Sequence, residues 1–141
     1  MLMKSRIFKL FLVLLLLMPI QVIARVRYCQ LKIHIENILI HKGNLMIGIF
    51  NNESTFKTNT YYVGRSVKAN NNKITVTVKL PVGVYAVKLY QDVNEDQKMN
   101  QIFGMPLEPY GVSNNTTGFP SFKATSFELN KNKDIYIKIK N

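Results

Sequence analysis

The chain has 141 residues, with 19 Lys and Arg against 8 Asp and Glu, a single Cys and no Trp. That length fits one domain, and charged residues at 19% are too few for a solvated, disordered chain. A lone Cys cannot close an internal disulfide, so a packed core must hold the domain.

Lys4, Arg6 and Lys9 precede an unbroken apolar run from Leu10 to Ile20, and Val22-Ile23-Ala24 supplies small residues for cleavage after Ala24. The run of 11 residues falls short of the roughly 20 that a membrane-spanning helix needs. A signal peptide over 1–24 is therefore expected, with a single exported domain over 25–141. Its location would be periplasmic or secreted, with no integral membrane part after cleavage. Arg27-Tyr28 directly before Cys29 does not suit lipoprotein acylation, and Cys29 reads most simply as a small buried apolar group. Residues 25–141 carry 16 basic against 8 acidic side chains, a net charge of about +8.

After residue 25 the apolar pattern alternates, and no helical period is visible. Leu31, Ile33 and Ile35 oppose Lys32, His34 and Glu36, as in a half-buried strand. His41–Asn44 supplies a turn, and Leu45–Phe50 is apolar on both faces. Tyr61–Val67 is a weaker strand, and Ile74–Leu80 alternates cleanly. Pro81-Val82-Gly83 breaks the run, with Gly83 free to adopt positive φ, before Val84–Tyr90. Strands near Phe122–Leu129 and Asp134–Lys140 complete the series. The pattern predicts an all-β fold, a seven-stranded antiparallel β-sandwich of Ig-like or transthyretin-like form. Its expected core is Leu31, Ile33, Ile47, Ile49, Val76, Val78, Val87, Leu89, Ile135 and Ile137.

Residues 91–121 interrupt this scheme as a long stretch without a convincing strand. They hold three of the five prolines and four of the eight acidic residues. A loop of that length is generally functional or packed down as a lid. Within it, Asp92, Asn94, Asp96 and Asn100 with the Lys98 carbonyl place oxygens at every second position, the opening spacing of a calcium loop. Gln97 stands where such loops use Gly, Phe103 stands where the bidentate Glu would be, and Lys98 adds positive charge. The alternative is a polar turn whose side chains bond to nearby backbone. Calcium, if bound, would be held weakly, at roughly 10⁻⁴–10⁻³ M.

Tyr110-Gly111-Val112-Ser113-Asn114-Asn115 is the second dense patch, with Gly111 allowing a tight turn. Phe103, Tyr110, Asn114, Asn115 and Phe119 are the candidate ligand surface; packing of an irregular loop onto the sheet is the competing account. Catalytic residues are not evident. His34 and His41 lack metal spacing, Cys29 lacks a nucleophile motif, and Asp92, Asp96 and Glu108 pair no more specifically than in any acidic loop. The basic residues are scattered and give no nucleic-acid footprint.

Leu80-Pro81-Val82-Gly83-Val84-Tyr85-Ala86-Val87, the Asp92/Asn94/Asp96 loop, Gly104-Met105-Pro106, Tyr110–Asn115 and Pro120-Ser121-Phe122 occur in that order. Together they resemble the exported bacterial proteins of domain of unknown function family 2141, over about Cys29 to Lys140. The resemblance implies a single β-sandwich module sent across the inner membrane, with no established activity. Relatives often carry Gly at the position of Gln97 and Asp at that of Asn100, so the departures here weaken a metal site. The Pro81–Tyr85 turn alone is also similar to turns in transthyretin-like and carboxypeptidase-regulatory-like sandwiches. The expected role is a non-catalytic binding module that uses 91–121 on an envelope polymer, peptide or protein. The alternative is a structural or assembly module in which that loop is only a lid.

Overall fold

A computed structural model describes residues 24–102 and 104–141. The expected signal peptide, up to Ile23, and Phe103 lie outside the described residues.

The chain forms β1 (Tyr28–Glu36), β2 (Asn44–Phe50), α1 (Glu53–Thr58), β3 (Val63–Lys68), β4 (Ile74–Pro81) and β5 (Gly83–Asp92). There follow β6 (Gln101–Ile102), β7 (Met105–Pro106), β8 (Tyr110–Val112), a 3₁₀ turn (Ser113–Asn115), α2 (Phe122–Thr125), β9 (Phe127–Leu129) and β10 (Lys133–Lys138). One sheet has the order β10-β1-β4. The other has the order β3-β2-β5-β8, with β9 beside the start of β5. The protein is all-β in character.

Alternation builds the core directly. Leu31, Ile33 and Ile35 of β1 face inward with Val76, Val78 and Leu80 of β4, meeting Leu45, Ile47, Ile49, Val87 and Leu89 from the second sheet in one cluster. All ten expected core residues are buried within it. Cys29 is buried and free at the same interface.

The expected all-antiparallel pairing does not hold, because β1 and β10 run parallel, with Ile33 opposite Ile135 and Ile35 opposite Ile137. A period of two fixes which face a side chain takes but carries no information on strand direction. Here the chain leaves β9 in one sheet and enters the other beside β1, where Asn132 Oδ1 accepts from Gln30 N–H at 2.8 Å.

Two short helices also depart from the expected absence of helix. Asn52 caps α1 by accepting from Thr55 N–H, Glu53 pairs with Lys57 one turn on, and Asn59 closes the helix at φ 55°. The expected strand near Phe122–Leu129 begins instead as α2. Ser121 accepts from Ala124 N–H while Thr125 bonds back to the Ser121 carbonyl, so local side-chain bonding wins over strand propensity. Both helices lie on the outer face of the second sheet, where Phe56 and Phe122 cover Phe50 and Ala86.

Gly83 does not need positive φ. It leaves room for the Tyr85 ring, whose hydroxyl donates to the Pro81 carbonyl at 2.8 Å. Residues 91–121 are also less irregular than expected, since β8 pairs with β5 and β6–β7 form a small hairpin. At two or three residues, these strands are too short for alternation to register.

Candidate functional site

The acidic loop is wired mainly to its own backbone. Asp92, buried at the end of β5, accepts from Asp96 N–H and Gln97 N–H at 3.1 and 2.8 Å. Buried Glu108 accepts from Val93 N–H and Asn100 N–H, tying together the two ends of the loop. Asn94 and Asn100 both donate their amides to Asp96 Oδ2, while Lys98 N–H donates to Oδ1. The Lys98 N–H holds the Asp96 carboxyl below its ordinary pKa, with the two amides adding to the effect. Glu95 and Gln97 take φ of 62° and 61°, so Gln97 occupies the left-handed position that Gly fills in calcium loops. Among the described residues no group of three or more His, Cys, Asp or Glu side chains is placed to hold a metal. Asp92, Asn94, Asp96 and Asn100 thus share one tight turn, with Lys98 pointing its N–H into it.

The Tyr110–Asn115 patch is used structurally. β8 ends at Val112, and the Ser113 hydroxyl then takes over as partner of β5, accepting from Val87 N–H and donating to the Thr125 carbonyl. Asn114, at φ 62°, donates to the carbonyls of Ala124 and Ser126. Asn115 accepts from Lys138 N–H and donates to the Tyr136 carbonyl, acting as a strand edge for β10. Gly111 is not a turn residue: a Cβ there would come within 2.7 Å of Ile137, so glycine permits close approach to β10. Of the expected ligand-surface residues, Asn114 and Asn115 are therefore committed to backbone, and Tyr110 and Phe119 remain exposed in part or fully.

Strand register assembles a site that no contiguous motif announces. On the outer face of the second sheet, Ser66, Met46, Tyr90 and Tyr110 form one cross-strand row. Gly64, Gly48, Lys88 and Val112 form the next. The helices cover the sheet beyond this row, at Phe50 and Ala86, and stop there. The uncovered part is the floor of an open groove of about 1250 Å³, walled by Gln97, Lys98, Met99 and Gln101, by Gly104-Met105-Pro106 and by Gly118-Phe119-Pro120. The two adjacent glycines make room for rings, and a Cβ at Gly48 would meet the Phe50 ring at 3.1 Å. Tyr61 lies over Gly64, where a Cβ would meet its ring at 2.6 Å.

Lys88 stands where covered and open halves meet. Its ammonium donates to the Phe56 carbonyl at 2.6 Å and Asn59 Oδ1 at 2.8 Å, and lies 3.7 Å from the Phe56 ring centre. It thereby satisfies the C-terminal end of α1. Burial pushes its pKa down. Burial also raises the Tyr90 hydroxyl, and Asp92, Glu108 and Asp96 add to that, which sets the acidic loop near Tyr90.

A second polar constellation lies across the molecule, on the outer face of the first sheet. His34 is hydrogen-bonded to Asp134 and Thr75 at 3.0 and 2.9 Å, with Tyr136 stacked on its ring. Such a chain can activate a hydroxyl, but here it sits on an exposed sheet surface away from the groove.

Among the described residues no helix is long and apolar enough to cross a membrane. A family model described as an uncharacterized protein conserved in bacteria, DUF2141, matches residues 33–136. No curated protein and no solved structure matches the chain.

Proposed function

We propose, from the premise that the chain belongs to the bacterial family DUF2141, that it is an exported, non-catalytic binding module. In this reading an Ig-like or transthyretin-like β-sandwich is released by cleavage after Ala24 and meets an envelope polymer, peptide or protein. N-terminal sequencing of protein recovered from periplasm or medium is expected to begin at Arg25. The observation that carries the binding role is the groove itself. A concave, largely apolar surface with a few placed polar groups is the usual form of a ligand site.

The rival reading, a structural module in which residues 91–121 only cover the sheet, predicts that the walls pack tightly. Phe119 is 85% exposed and Met105 is 61% exposed, which favours binding. The test is capture from envelope extract by the protein and by its Phe119→Ala and Met105→Ser variants. Loss of a captured component at unchanged melting temperature supports the groove. A lowered melting temperature in both variants, with capture otherwise intact, returns the loop to a lid.

Calcium at the Asp92–Asn100 loop is a subordinate part of the proposal. The left-handed Glu95 and Gln97 curl the backbone so that alternate side chains share one side of the turn. Calcium would have to draw Asp92 and Asp96 away from the N–H groups they now accept from. A rise in melting temperature through millimolar calcium, absent in Asp96→Ala, is expected. No rise at 10 mM (about tenfold above that affinity range) would leave the polar turn alone.

A further inference from the structure

The lining of the groove narrows the ligand, an inference that rests on the binding reading above. Among the described residues, Arg65, Lys88 and Lys98 contribute positive charge to the lining; no Asp or Glu is part of it, although Asp92, Asp96 and Glu108 stand near Tyr90. Neither lysine is in an ion pair among the described residues. Lys88 spends two of its three donors on neutral oxygens and rests against the Phe56 ring, so its charge has no carboxylate partner among the described residues. An anion brought to this partly dehydrated ammonium would be held by charge-assisted bonding.

The apolar component combines ring faces with Met46, Met99, Met105 and Pro106 along an open trough. Tyr61 packs on Gly64 yet is 60% exposed, Tyr90 and Tyr110 stand side by side across β5 and β8, and Phe119, 85% exposed, lines the same groove. The lining also holds Ser66, Gln97 and Gln101 as neutral donors and acceptors, and the Asn59 amide N–H groups beside Lys88. A hydrocarbon chain would bury those amides without partners, at a cost of about 1–3 kcal/mol each. An acidic peptide would answer the lysines but present few flat faces to the rings. A sugar ring answers both features, because its C–H face carries partial positive charge toward the negative aromatic face while its hydroxyls reach the amides. We infer that the groove binds an acidic polysaccharide, with sugar faces on Tyr61, Tyr90 and Phe119 and carboxylates on Lys88 and Lys98.

Titration calorimetry with polygalacturonate, neutral dextran and poly-L-glutamate tests this. Polygalacturonate is expected to bind at least about tenfold more tightly than either comparison polymer, a difference of about 1.4 kcal/mol. Tyr61→Ala and Lys98→Gln should each weaken it by about tenfold, with an unchanged melting temperature. Lys98 is chosen because removing Lys88 would also uncap α1. Equal binding of poly-L-glutamate overturns the proposal in favour of an acidic peptide, and equal binding of dextran removes the acidic requirement. If no polymer binds while capture from extract still depends on Phe119, the ligand class is wrong and the groove stands. If that dependence is also absent, both readings fall.

Discussion

Residues 97–107 and residues 108–116 are neighbours in one turn-rich stretch, yet they serve the fold in opposite ways. The second is drawn into the sandwich, with Glu108 and Ser113 buried and Ser113, Asn114 and Asn115 supplying hydrogen bonds that strands would otherwise supply. In the first, β6 and β7 pair as a hairpin, Ile102, Met105 and Leu107 are exposed, and Gln97, Lys98, Met99, Gln101 and Gly104-Met105-Pro106 wall the groove. The most distinctive sequence of the chain is thus its fastening. The plainer sequence beside it forms the surface that another molecule can reach.

The contrast is broken most severely at Gly111. In Gly111→Val the new Cβ lands 2.7 Å from the Ile137 methyl and 3.3 Å from the Lys138 carbonyl, and β8 must move off β10. A loss of about 3 kcal/mol is expected, read as a lower urea midpoint at unchanged slope. An unshifted midpoint would mean that the close approach of the two strands contributes nothing.

Ser113→Ala comes next. Its hydroxyl is the partner of Val87 N–H in the middle of β5 and of the Thr125 carbonyl, and both are shielded from water. Losing it should cost about 1–3 kcal/mol, because two buried groups lose their partner. Hydrogen exchange at the Val87 amide offers a local reading of the same break, and unchanged protection there would contradict the role given to Ser113.

The sequence showed the core plainly, because Leu31, Ile33, Val76, Val78, Ile135 and Ile137 repeat at period two and burial follows that period. It hid the direction of β10, which alternation does not encode. It also hid α1, although Asn52 and Asn59 at its ends were readable as caps. For the site, the Ser-Asn-Asn motif stood out, but its side chains turn to backbone carbonyls and amides that only the folded topology brings near. The groove floor was invisible for a related reason. Met46, Gly48, Gly64, Ser66, Lys88 and Tyr90 lie on three strands, and register alone makes them neighbours. One signal was available: Lys88 and Tyr90 sit on the outer face of β5, opposite a glycine-bearing strand, where a sheet covered by helices would carry apolar residues.

The smallest effect on stability is expected at Phe119, and it sharpens the comparison most. With 85% of its surface exposed, the ring makes little contact that folding could reward. Phe119→Ala should therefore stay within about 0.5 kcal/mol of the parent in urea unfolding, against the larger loss in Ser113→Ala. If these two residues belonged to a single lid, their effects would be of similar size. Combining them tests independence as well. Ser113 acts through β5 and α2, whereas Phe119 acts toward solvent, so the double variant should show the sum of the single losses within about 0.5 kcal/mol. A marked departure from additivity would mean that the groove wall and the fastening are one cooperative unit, and that a ligand touching Phe119 would also tighten the fold around Ser113.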